Sequence, residues 1–131
     1  MKKTTFDKLE ADLIERGYNK YNQKWHHEDY VIGKGFNHGE YEYGRPAYQI
    51  LLSVYDYTLP HDFSDRLPQQ MKNYVAMEVH IDVSRTIDER VDIVLPWFND
   101  TTIEEIEKAA EGFYKDVCLM WPEPRKEVSN E

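Results

Sequence analysis

Cysteine is almost missing from this chain: Cys118 is the single one among 131 residues. One thiol cannot close an internal disulfide, which excludes the stapled frameworks of small secreted domains and makes a reducing cytoplasm the expected location. Long apolar runs are missing too. No stretch approaches the ~20 apolar residues of a membrane-spanning helix. After Lys2 and Lys3, residues 4–13 mix Asp7, Lys8, Glu10 and Asp12 with apolar neighbours, which leaves no signal-peptide core. A surplus of basic side chains is also lacking. Sixteen Lys and Arg against 25 Asp and Glu give a net charge of −9, which repels phosphate backbones and argues against nucleic acid as a partner. Lys2, Lys3 and the Arg85/Arg90 pair are too few to reverse that balance.

Sequence signatures of catalysis are equally scarce. None of Ser53, Ser64, Ser84 and Ser129 stands in a G-x-S-x-G setting, which leaves a nucleophile-elbow hydrolase without support. The run Gly33-Lys34-Gly35 is too short for a phosphate-binding loop and lacks its Lys-Ser or Lys-Thr ending. Cys118 lies between Val117 and Leu119 in a helical pattern, the setting of a small buried hydrophobe rather than a nucleophile. No cofactor is implied.

What the chain does hold is aromatic bulk. Charged residues make up 31% and the mean hydropathy is −0.78, yet 14% of residues are aromatic, enough large side chains to fill a core. The length suits one domain over residues 1–121, followed by a charged tail over 122–131. From 74 to 84, Val75, Met77, Val79, Ile81 and Val83 alternate with Ala76, Glu78, His80, Asp82 and Ser84. That period of two is a strand with one greasy and one wet face. A second strand spans 47–57, with Tyr48, Ile50, Leu52 and Val54 on one side and Gln49, Leu51, Ser53, Tyr55 and Tyr57 on the other. A further strand covers Tyr30–Phe36, where Gly33 and Gly35 leave room for a bulge or a close neighbour. Residues 90–97 form the last strand, joined to 74–84 by a turn at 85–89 and ended by Pro96.

Helical spacing appears at both ends. Phe6, Leu9, Leu13 and Ile14 recur along 5–16, with Thr4 or Thr5 as N-cap and Gly17 past the C-terminus. Ile103, Ile106, Ala110, Phe113, Val117 and Met120 recur in steps of three and four, Thr102 with Glu105 matches a capping box, and Pro122 follows the end. Residues 18–29 read as irregular, 37–46 as a turn-rich loop, and 58–73 as a long connection pinned by Phe63, Leu67 and Met71. The expected fold is therefore α+β: a two-layer sandwich in which a four-stranded antiparallel sheet carries the N-terminal and C-terminal helices on one face, in the order α-β-β-β-β-α. Its second face is left uncovered.

Two sets of residues suggest chemistry on that second face. Glu78, His80 and Asp82 project in parallel from one strand as candidate metal ligands for a metal-dependent hydrolase, although ligands from a single strand converge poorly. His26, His27, Glu28 and Asp29 follow one another without metal-site spacing, and His38 and His61 fall in loops. Of ten tyrosines, Tyr41, Tyr43, Tyr55 and Tyr57 cluster at or beside the second face. Tyrosine combines broad apolar contact with a hydroxyl that bonds a partner, and interfaces are enriched in it. The leading expectation is a cytoplasmic interaction module that binds a protein partner or forms a homodimer through those tyrosines. The alternatives are the metal-dependent hydrolase and an acidic inhibitor that mimics nucleic acid.

Overall fold

The computed structural model describes residues 1–21, 28–36, 46–59, 68–84, 89–97 and 100–120. It consists of helix α1 (Lys3–Glu15), strands β1 (Asn19–Tyr21), β2 (Tyr30–Phe36), β3 (Tyr48–Asp56), β4 (Val75–Ser84) and β5 (Arg90–Pro96), and helix α2 (Ile103–Met120). A 3-10 turn over Gln69–Asn73 precedes β4. The expected connection at 58–73 thus ends in this turn, with Met71 exposed rather than pinned to the body. Phe63 and Leu67, like the tail at 122–131, lie outside the described residues.

The sheet is an antiparallel meander in the order β1-β2-β3-β4-β5. It has five strands where the sequence predicts four. The extra one, β1, falls in the stretch 18–29 expected to be irregular; its three residues are all exposed, so no burial alternation marks it. Only pairing defines it, with Asn19 against Gly33 and Tyr21 against Val31. The β2–β3 and β3–β4 ladders run one residue against one throughout, so Gly33 and Gly35 do not form a bulge. Instead Leu51 closes over Gly33, where an added Cβ would come within 2.6 Å of its Cδ2.

Register sorts the side chains. Ile32, Leu52, Val79 and Leu95 stand in one row across β2 to β5, and the rows beside it bring in Tyr30, Tyr48, Ile50, Val54, Ile81 and Ile93 on the same face. These residues and the buried sides of both helices form one hydrophobic cluster. Burying such a face is what drives sheet and helices together. Both helices therefore cover the same face, as the sequence predicts: Phe6 of α1 packs against Tyr30 at 6.3 Å between ring centroids, and Tyr114 of α2 against Tyr48 at 5.1 Å.

The helix ends show how local signals were used. Thr102 and Glu105 form the expected capping box, with Glu105 N–H donating to Thr102 Oγ1 at 3.1 Å and Thr102 N–H donating to Glu105 Oε1 at 2.9 Å. At α1 the N-cap is Lys2, without a side-chain cap, rather than Thr4 or Thr5. Lys2 is held there by a bridge to Tyr74, and Val75 N–H donates to Met1 C=O, so the sheet fixes where this helix starts. Gly17 ends α1 at φ +96°, with Gly17 N–H donating to Ile14 C=O and Tyr18 N–H to Leu13 C=O, both at 3.0 Å. That is a Schellman closure, which needs a residue at ease with positive φ. On α2 the buried positions are Ile103, Ile106, Ala110, Tyr114 and Val117; Tyr114 takes the depth expected of Phe113, which is half-buried, and Met120 is exposed.

Candidate functional site

The face opposite the helices carries a different chemistry. Antiparallel register lays Gly35, Gln49, Asp82 and Asp92 in one row, Gly33, Leu51, His80 and Val94 in the next, and Val31, Ser53, Glu78 and Pro96 in a third. These rows border a cleft of about 310 Å³ lined by Glu28, Leu51, Ser53, Tyr55, Glu78, His80, Asp82, Arg90 and Asp92. Leu51 leans over Gly33 of the neighbouring strand, where no side chain stands in its way, and contributes the apolar part of the lining. Four carboxylates surround it against one guanidinium and one imidazole.

Its walls are bonded to one another. Tyr55 Oη donates to Glu78 Oε1 at 3.1 Å, and His80 Nε2 lies 3.5 Å from the same oxygen. Burial, and then the neighbouring Glu78 carboxylate, push the Tyr55 phenol up to about 12, so it remains a donor at neutral pH. Asp82 is 6% exposed. Burial first, and next the hydrogen bond it shares with Asp92, push its carboxyl up to about 6. Gln49 Nε2 donates to Asp82 Oδ2 at 3.3 Å, and Arg90 lies 3.7 Å from that oxygen, both favouring the ionised form. Glu28 is 4% exposed, an acid held at the cleft wall by the protein rather than by water.

The sequence candidates divide accordingly. Tyr55 belongs to the cleft; Tyr57, which continues its alternation, is half-buried beyond the end of β3. Tyr41 and Tyr43 lie outside the described residues, as do His26, His27, His38 and His61. Glu78, His80 and Asp82 do share the cleft, but they stand one behind another along β4, and among the described residues no group of three His, Cys, Asp or Glu side chains is arranged to hold a metal ion. Asp29 is drawn away from the cleft; its Oδ2 accepts the Asp56 N–H at 2.8 Å.

Four residues of the cleft went unrecognised in the sequence: Leu51, Ser53, Arg90 and Asp92. The signal for Asp92 is hairpin arithmetic. The turn expected at 85–89, of which 85–88 lie outside the described residues, implies Ser84 opposite Arg90, and two steps inward the observed register sets Asp82 opposite Asp92. The second face is also less open than an uncovered layer would be, since Val31 and Ser53 are each 3% exposed. Neither described helix lies on it, and no helix among the described residues is long and apolar enough to cross a membrane. No protein-family model matches this chain, and neither a curated protein nor a solved structure matches it.

Proposed function

We propose that this protein is a recognition module whose second sheet face receives a basic segment of a partner protein, with a lysine or arginine side chain entering the cleft above Leu51. The observation that carries this reading is the imbalance of charge around the cleft: Glu28, Glu78, Asp82 and Asp92 against Arg90 and His80. An ammonium or guanidinium group on a methylene stem matches both parts of it, its stem against Leu51 and its head among the carboxylates. Tyr55 stands at the wall with its ring available for contact and its hydroxyl already fixing Glu78. The net charge of −9 adds attraction at a distance, which raises the rate of encounter with a basic partner.

The test is titration with an oligolysine peptide, read by calorimetry at low and at physiological salt. Glu78→Gln combined with Asp92→Asn should weaken binding at least fivefold, and Tyr55→Ser with Tyr57→Ser should weaken it with the fold retained. Asp12→Asn with Glu15→Gln removes the same charge from the exposed side of α1 and should leave affinity within twofold. Equal losses in the two charge variants would reduce the binding to general attraction and end the proposal, as would the absence of binding.

A further inference from the structure

The two borders of the sheet are built differently. β1 offers three residues, whereas β5 offers seven that pair with β4 alone among the described residues. Strand borders left in water are commonly protected by lysines, bulges or brevity, because unpaired N–H and C=O groups invite another strand. β5 contains no lysine, and its ladder to β4 runs one for one from Arg90 to Pro96, so nothing twists it away. Only Pro96, at its last position, withholds a donor. The layer is also unfinished there: Val91, Ile93 and Leu95 face the helix side but are only half-buried, whereas their neighbours on β4 are fully buried.

We propose that β5 is an interface for a second copy of this chain, paired antiparallel to its own β5 about a two-fold axis through Ile93. The sequence of the strand is self-complementary about that residue. Turning Arg90–Pro96 end for end sets Ile93 against Ile93 and Val91 against Leu95 on the helix side. Apolar residues thereby meet apolar residues on the side where the core is incomplete, and the two cores run on into one layer. A shift of one residue would bring the apolar side of one copy against the charged side of the other, so the pattern selects this alignment over its neighbours. On the opposite side, Val94, 48% exposed, falls across from the partner's Asp92, a position that reports the alignment directly. This surface adjoins the cleft and shares Arg90 and Asp92 with it, but the pairing of the strands does not require a basic segment to be bound there.

The full chain is examined at pH 7.5 by sedimentation over a wide range of concentration. A monomer–dimer equilibrium is expected. Val94→Lys sets an ammonium opposite Asp92 twice in the dimer and should tighten it roughly fivefold or more, while Val94→Asp should weaken it by a similar factor. Both variants change an exposed side chain, and their melting at low concentration should match that of the parent. In a Cys118→Ala background, Ile93→Cys should be joined to its twin by a short thiol-reactive linker. A protein monomeric at every concentration overturns the proposal. So does a dimer that ignores both Val94 variants, or one that dissolves on Tyr55→Ser with Tyr57→Ser; the latter would assign the contact to the cleft face. Oligolysine binding is measured independently on dilute protein, so either reading can fail alone.

Discussion

Asp82 and Asp92 sit directly opposite each other in the β4–β5 ladder, their carboxyl groups sharing a hydrogen bond at the edge of the cleft. Two acids in direct cross-strand opposition repel when both are ionised, a cost that a proton on Asp82 relieves and that Gln49 and Arg90 beside its Oδ2 offset.

That arrangement makes stability depend on pH. Burial and Asp92 raise the Asp82 carboxyl from 3.8 to about 6 in the folded protein. The folded state therefore holds a proton that the unfolded chain releases, so this stabilisation is complete below pH ~4 and is lost as pH rises through about 6. The full change is on the order of 1–3 kcal/mol. Urea unfolding of Asp82→Asn and of the parent should show the variant gaining on the parent between pH 4 and 7. Parallel curves would mean that the two carboxyls do not share a proton.

Gly33→Ala should destabilise the protein by about 1–2 kcal/mol, because its new Cβ would meet Leu51 Cδ2 at 2.6 Å and the Ile50 carbonyl oxygen at 3.3 Å. Leu51→Ala removes the first of those clashes. In a double-mutant cycle the combined variant should therefore be more stable than the sum of the single losses. Strict additivity would show that Leu51 does not close over this glycine.

Asp56 is 2% exposed and accepts from Thr58 N–H at 3.0 Å and from the Thr58 hydroxyl, while Lys3 Nζ lies 3.2 Å away. It joins the end of β3 to the start of α1. Asp56→Ala leaves the Thr58 N–H without its acceptor and Lys3 with Asp7 as its remaining partner, and should cost about 1–3 kcal/mol by chemical denaturation. Asp56→Asn keeps an acceptor for Thr58 and should cost less.

Thr102→Ala removes the hydroxyl that caps the Glu105 N–H and should lower stability by about 1 kcal/mol, read as a lower melting temperature. Glu105→Ala should lower it by less, since the Thr102 amide at the helix start can bond water instead.

Period-two alternation made β3 and β4 readable within a residue at each end, because one side of each strand is buried throughout and apolar save for Asp56 at the end of β3, while the other is mixed, with only Ser53 and Asp82 buried on it. The capping box located α2 for a related reason: it is a local bond, complete within four residues. What depends on distant partners was harder to read. β1 is a strand only through β2, and the N-terminus of α1 is set by Tyr74 and Val75 rather than by its own threonines. The cleft was legible in part. Tyr55, Glu78, His80 and Asp82 follow from alternation alone, but alternation marks Leu51 only as a large residue on a polar side, and its place over Gly33 depends on pairing with a distant strand. Glu28 lies outside the five strands, and nothing in its neighbours announces that it is buried at the cleft wall.

The brevity of β1 carries a consequence for assembly. A molecule with two long receptive borders can grow into an open ribbon, since each newcomer exposes another place to add. Among the described residues one border is a three-residue stub, and a dyad through Ile93 would use up the other, so pairing through β5 closes on itself at two copies instead of passing the same contact along a fibre.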